Sequence, residues 1–306
     1  MTQLVQLQKT LPELREAGYE VFAISNDTVE RLADFAKQHC ITFPLLSDED
    51  STVIRAFGIM NTLIRPDEGK HMRWYGIPYP GTYITDEAGI VVDKDFHQHH
   101  ARRLSGRGLL QRVLGTLPEQ HVDAPKATSE GNEITLTTSL IDPTLMLEVI
   151  SLLVCRLHIA AGKHIYAPGA PEAFTPASLE FHGEGLRFGE PEWPQPQRLN
   201  MTDLNIQVPV YDREVTVSVP VTATSALVRL GHGLEQTSVK ITIACAYQSC
   251  DEVSCGLPET IEATISVPLE ELVEPEGVKT YAKRVEQEQS AKRPDVHWMT
   301  SHENPG

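Results

Sequence analysis

Tyr247-Gln248-Ser249-Cys250-Asp251-Glu252-Val253-Ser254-Cys255-Gly256-Leu257-Pro258 is the stretch around which this chain is organised. An alternating run precedes it (Val239, Ile241, Ile243, Cys245, Tyr247) and another follows (Ile261, Ala263, Ile265, Val267). Period-two alternation on both sides of a short polar loop predicts a β-hairpin, and a four-residue loop is usually built around a type I turn. Residues flanking such a loop face each other at a Cα separation of roughly 4.5–5.5 Å. A disulfide spans roughly 4.4–6.8 Å, so the two cysteines are geometrically able to pair.

Parity adds a condition. Counted in twos, Cys250 lies on the face opposite Ile243 and Tyr247, whereas Cys255 shares parity with Ile261 and Ile265. Cross-strand partners lie on one face, so the register has to shift by one, and Gly256 and Pro258 mark the expected irregularity. Spacing alone leaves three chemistries open. The pair is a reversible dithiol/disulfide exchanging with another protein's thiols, a static structural disulfide, or half of a zinc site. No second Cys or His pair at ligand spacing accompanies the last.

Tyr247-Gln248-Ser249-Cys250, four residues, Cys255 and Pro258 resemble the active-site segment of the N-terminal, immunoglobulin-like domain of the thiol:disulfide interchange protein DsbD. Ala161-Gly162-Lys163-His164-Ile165-Tyr166-Ala167-Pro168-Gly169 is similar to that family's glycine-aromatic-x-Tyr segment, with Lys163 where many members carry Trp. Val210-Tyr211-Asp212-Arg213, followed by Val215, Val217 and Val219, is a third match, and the resemblance covers roughly residues 132–272. It implies thiol-disulfide exchange at Cys250 and Cys255, supported by Tyr247, Asp251, Glu252, His164, Tyr166 and Tyr211. The implied partner is a thioredoxin-like or membrane thiol-disulfide protein. The resemblance also implies a cap loop with acidic and aromatic residues over the pair, which residues 193–205 do not match position by position. Asp251 and Glu252 are expected to disfavour a nearby thiolate and raise its pKa.

The 306 residues allow two domains with ordinary cores, and 41% of them are hydrophobic. Against 42 acidic residues stand 26 Lys and Arg, a net charge of −16 that makes nucleic acid and anionic membrane surfaces poor partners. No uninterrupted apolar run approaches the roughly 20 residues of a membrane span, so no membrane insertion is expected. Lys9, Glu13 and Glu16 interrupt the first 20 residues, unlike a signal peptide. Five cysteines, two of them closely spaced, make no disulfide scaffold and do not decide the compartment. The resemblance points to the periplasm if the native start lies upstream. No cofactor and no metal are expected.

Leu4, Leu7, Leu11 and Leu14 share one face of a helix over residues 2–17, stopped by Gly18 and bent or divided at Pro12. Residues 19–25 read as a buried strand. Asn26-Asp27-Thr28 caps a helix to His39 with Val29, Leu32, Ala33 and Ala36 inward. A short strand at 43–46, a helix capped by Asp48 or Ser51, a hairpin of 82–85 with 90–96 and a helix at 102–117 follow. Alternating helix and strand predict an α/β domain. Val21-Phe22-Ala23-Ile24-Ser25, Phe43-Pro44-Leu45-Leu46-Ser47-Asp48, Phe57-Gly58-Ile59 and Gly76-Ile77-Pro78-Tyr79-Pro80-Gly81-Thr82-Tyr83-Ile84 resemble the AhpC/TSA (peroxiredoxin) branch of the thioredoxin fold. That family's reactive cysteine sits at the N-terminus of its first helix, where the dipole favours the thiolate. This chain is expected to begin inside that helix, without the cysteine and the central strand before it. Pro80 stands where the family carries its peroxide-site arginine. Peroxidase activity is therefore an alternative that the residues disfavour.

Cys40 is expected to pack as a small apolar residue, as are Cys155 and Cys245. His97-Gln98-His99-His100 reads as a solvated strand end rather than a metal cluster, because adjacent strand residues point to opposite faces. The expected layout is an N-terminally truncated thioredoxin-like α/β domain at 1–119, a polar linker at 120–131, and an all-β immunoglobulin-like sandwich at 132–272. A disordered polar tail at 273–306, with a short helix at 278–290, completes it. The sandwich strands are placed at 133–140, 147–160, 178–181, 208–211, 214–221, 238–247 and 260–267. A non-catalytic interaction module with a structural disulfide is the remaining alternative.

Overall fold

The computed structural model describes residues 2–64, 75–96, 103–171, 173–201, 206–229, 233–234 and 236–270. His97–His100, the tail and the helix expected at 278–290 lie outside them.

The hydrophobic alternation of the second half builds two facing sheets. One runs in the order Leu186–Phe188, Glu214–Ala223, Val149–Ile159, Ile134–Leu140, Lys126–Glu130. The other runs Ser178–His182, Ser238–Tyr247, Glu259–Glu270, Leu145–Met146. Ser238–Tyr247 pairs along its whole length with Glu259–Glu270. Val239, Ile241, Ile243, Cys245 and Tyr247 go inward, as do Ile261, Ala263, Ile265 and Val267. They meet Leu136, Leu153, Leu157, Val217 and Val219 of the facing sheet in one buried cluster. Burying such a side chain is worth roughly 1.5–3 kcal/mol, so this cluster dominates the fold's stability.

A third sheet, in the order Gln197–Met201, Ile206–Asp212, His164–Tyr166, Ser249–Cys250, was not visible in the strand pattern as a separate unit. Two of its strands have only two or three residues, too short to show a period. It has its own small core of Tyr166, Val208, Val210 and Cys250.

The stretch expected to be linker differs. Lys126–Glu130 pairs antiparallel with Ile134–Leu140, and Ala127 packs on the main core, so five of those residues belong to the sandwich edge. The alternation there is carried by Ala, Ser and Thr, which composition reads as loop. The expected helix at 102–117 likewise begins later, at Gly106–Leu114, with Ser105 as its N-cap. Arg103–Leu104 instead pairs parallel with Val149 and Ile150 and ties the first half to the sandwich.

In the first half, Thr2–Glu16 is one helix undivided by Pro12, and Leu7, Leu11 and Leu14 are buried. It lies against Gly106–Leu114, where a Cβ on Gly106 would run into Thr10 Oγ1. Gln6 Nε2 reaches Met146 Sδ at 2.7 Å and Lys9 Nζ reaches Glu270 Oε1 at 3.1 Å, so the helix also rests on the sandwich. The expected buried strand at 19–25 is shorter and half exposed. Ala23–Ser25 pairs parallel with Leu45–Ser47, while Phe22 and Ile24 face outward. The helix capped by Thr28 spans Val29–Gln38, but no residue in it is fully buried and Val29 and Ala33 are exposed. Gly81–Thr85 and Val91–Phe96 form the expected hairpin as a separate two-stranded sheet. Among the described residues, nothing bridges it to Ala23–Ser25. Those outward apolar side chains are exposed because no described element covers that side.

Candidate functional site

The long hairpin ends at the pair Tyr247↔Glu259. Continuing its register would set Cys250 opposite Gly256, but Cys250 pairs with Cys255, the expected shift of one residue. The shift coincides with a change of sheet. After Gln248 the strand leaves its long partner, and Ser249–Cys250 pairs with Ile165 and His164 of the third sheet. Gly256 N donates to Ser249 O at 2.8 Å and Gln248 Nε2 to Gly256 O at 2.9 Å, closing the neck of the loop.

Cys250 and Cys255 are joined by a disulfide with Cα atoms 4.0 Å apart, a little closer than the roughly 4.4–6.8 Å usual for such bonds. The two sulfurs have unlike surroundings. Cys250 is only 1% exposed, packed with Tyr166, Val208 and Val210. Cys255 is exposed, between Val253 (93% exposed) and Leu257 (87% exposed). The Tyr166 hydroxyl lies 3.6 Å from Cys255 Sγ, and Phe174 covers the Tyr166 ring at 4.6 Å between centroids. Burial raises the Tyr166 phenol, keeping its proton available as a donor toward the sulfur.

Asp251 shapes the loop. Its Oδ1 accepts from Val253 N at 2.8 Å and Ser254 N at 2.7 Å, an Asx-type turn that also pairs Asp251 N with Ser254 O. Its Oδ2 accepts from Lys163 Nζ at 3.0 Å. Lys163 also bridges to Glu133 Oε1 at 2.8 Å, and Glu133 Oε2 accepts from Ser249 Oγ at 2.7 Å. The Val253 and Ser254 amides, followed by Lys163, hold the Asp251 carboxyl well below the usual carboxylate range. Two amides and an ammonium thus anchor the Asp251 carboxylate in the turn beside the pair.

A folded-state value depressed in this way contributes stability above the ordinary carboxylate pKa and loses it as pH falls through the folded value. The Val253 and Ser254 amides should thus stay protected from hydrogen exchange down to about pH 4 and lose protection below it. Asp251→Ala should raise their exchange by several-fold to about tenfold at neutral pH, read by NMR.

The remaining expected site residues separate into two groups. His164 and Tyr166 join the disulfide on the third sheet. Tyr247 and Tyr211 face the main core instead. Tyr247 donates to Glu259 Oε2 at 2.7 Å, and Tyr211 donates to Pro194 O at 2.7 Å and stacks on Trp193. They hold strands in place and do not reach the sulfurs. Glu252 is exposed on the turn. Lys163 was legible as a departure from the resembled pattern. Glu133 and Phe174 were not, since each reaches the site from a distant part of the chain.

Cys155 and Cys245 are fully buried, and burial pushes each thiol up to about 12. Cys40 is exposed rather than packed, at φ 53°, just beyond the end of the Val29–Gln38 helix.

Comparison with known proteins follows the same division. Residues 1–94 match the AhpC/TSA family, and residues 151–266 match "Thiol:disulfide interchange protein DsbD, N-terminal". Peroxiredoxin Bcp of Escherichia coli (strain K12) is 43% identical over 53 residues, 17% of this chain and 34% of that protein. The chain thus spans about a third of the length of this curated relative. Chloroplastic peroxiredoxin Q of Sedum lineare is 33% identical over 79 residues, 26% of this chain and 37% of that one. Among solved structures, the N-terminal periplasmic domain of ScsB from Proteus mirabilis aligns at 10% identity and TM-score 0.33, covering 54% of this chain and 59% of its own. The reduced N-terminal domain of Neisseria meningitidis DsbD aligns at 18% identity and TM-score 0.25, covering 51% of this chain and 94% of its own. The chain is a thioredoxin-like region resembling AhpC/TSA proteins, followed by a mostly-β, immunoglobulin-like domain resembling the N-terminal domain of DsbD.

Proposed function

We infer that the chain is a thiol-disulfide oxidoreductase whose working group is the Cys250–Cys255 pair. The observation that carries this reading is the asymmetry of the bond: an exposed cysteine at a hairpin tip is joined to a buried one. A thiolate of a docked partner attacks Cys255 Sγ along the S–S axis, forms a mixed disulfide, and displaces the Cys250 sulfur into its pocket. Exposed Val253 and Leu257 supply an apolar lip on which a thioredoxin-like partner can rest. Tyr166, against Cys255 Sγ, orients the sulfur under attack.

The test is a redox titration of the purified chain against glutathione or dithiothreitol buffers. An exchanging pair equilibrates at a potential above about −300 mV, whereas a pair below that value is structural and overturns the reading. Peroxide reduction is not the favoured activity, since the one thiol within residues 1–94, Cys40, sits at a helix C-terminus with no activating feature among the described residues.

A further inference from the structure

The third sheet sets Asp212, His164 and Cys250 in one row. His164 is the direct antiparallel partner of Asp212 on one side and of Cys250 on the other. Directly opposed residues project to the same face with Cβ atoms about 4.5–5.5 Å apart, so the His164 side chain projects from the strand between those of Asp212 and Cys250. Tyr166, two residues along the strand, shares that face, and its ring meets His164 edge-on at 5.6 Å. His164 Nε2 is buried and has no hydrogen-bond partner among the described residues in this oxidised state. A disulfide sulfur has no proton to offer it, whereas a Cys250 thiol would.

We propose that His164 is the proton acceptor for Cys250 during exchange, with Asp212 favouring the imidazolium that forms. This deepens the exchange reading above and rests on it. In the closing direction, the Cys250 thiol gives its proton to the His164 imidazole. The Cys250 thiolate then attacks Cys255 Sγ of the mixed disulfide, the Cys250–Cys255 bond forms, and the electron pair of the broken bond leaves on the partner's sulfur. That sulfur takes a proton from water and the imidazolium returns one, so the net change is one thiol and one mixed disulfide converted to one intramolecular disulfide and one partner thiol. In the opening direction the neutral ring takes a proton from water and passes it to the displaced Cys250 thiolate, which otherwise stays charged in an apolar pocket.

The groups facing His164 support the assignment. Asp212, held by Gln197 Nε2 at 2.7 Å, lies on one neighbouring strand. Cys250, Asp251 and Glu252 lie on the other strand and its turn, Tyr166 on its own strand and Lys163 just before it. Burial lowers the His164 pKa below the ordinary imidazole value, and Asp251 and Asp212 pull it back up. The resting ring is thus neutral near pH 7, the form a proton acceptor needs, with two carboxylates placed to stabilise the charged form.

The test uses the full chain carrying Cys40→Ser, reduced and mixed with dithiodipyridine in a stopped-flow instrument. Thiopyridone release should occur in two phases: attack by Cys255, then closure by Cys250. The closure rate should be level above neutral pH and fall through a single inflection below pH 6.5. His164→Gln should leave the first phase unchanged and slow closure near pH 7 by about a hundredfold. Its closure rate should then climb about tenfold per pH unit up to the thiol range. Asp212→Asn should move the inflection to lower pH. A wild-type closure rate that climbs with pH without the acid inflection overturns the assignment, as does a His164→Gln chain that closes with the wild-type profile. A wild-type chain that shows no second phase overturns the exchange reading itself and this assignment with it.

Discussion

Cys250→Ser should trap a near-stoichiometric mixed disulfide at Cys255, and Cys255→Ser should form none. The expectation follows from burial. Cys255 is the exposed cysteine of the pair, and Cys250 is enclosed by Tyr166, Val208 and Val210. Removing the buried cysteine leaves the exposed one free to join a partner that nothing then releases. Removing the exposed one leaves a thiol walled off from partners. Both variants should lose dithiol exchange down to background, while Cys40→Ser, Cys155→Ser and Cys245→Ser should keep it. Gel shift and mass spectrometry of the trapped species read the result. Full exchange by both hairpin variants would sink the assignment of the pair, and trapping by Cys255→Ser alone would reverse the order of attack.

The second large effect concerns the two halves. Residues 1–117 alone should aggregate or melt without a cooperative transition, while residues 120–272 should fold as a monomer melting within about 10 °C of the full chain. The described residues of the first half form two separate two-stranded sheets, and sheets of that size are marginal in water. It also presents outward Phe22 (64% exposed), Leu46, Phe57 and Val92, side chains that invite self-association. Separation would further remove the partners of Arg103–Leu104, Gln6 and Lys9. The sandwich keeps its entire main core provided the fragment retains Lys126–Glu130. Circular dichroism melts and analytical ultracentrifugation decide the matter. A monomeric, cooperative 1–117 fragment would show that the two small sheets suffice.

Much of this was legible in the residues themselves. The alternation of Val239, Ile241, Ile243 and Cys245 against Ile261, Ala263, Ile265 and Val267 specified the long hairpin, its inward face and the one-residue slip at the cysteines. That information is local and periodic, and a buried face enforces it, since a wrong register turns every apolar side chain to water. Leucines spaced along Thr2–Glu16 likewise declared a helix and its buried stripe. The cysteine spacing showed that a disulfide was possible.

What the residues did not declare is held in contacts between distant parts of the chain. Ser249–Cys250 is too short to announce that it leaves one sheet for another. That change of sheet is what buries one sulfur and exposes the other. Glu133 meets Lys163 and Ser249, and Asp212, His164 and Cys250 fall in one row, only because three strands far apart in sequence become neighbours. The first half shows the opposite limit. Its strand at 19–25 is as apolar as a buried strand, yet Phe22 and Ile24 stay exposed, because burial depends on what packs against a strand and not on its own composition. The sequence by itself therefore determined the long hairpin with its inward face, the first helix with its buried stripe, and a cysteine pair able to form a disulfide. Tertiary structure alone decided which cysteine is exposed and which side chains surround the buried one, since both depend on strand neighbours that no local pattern encodes.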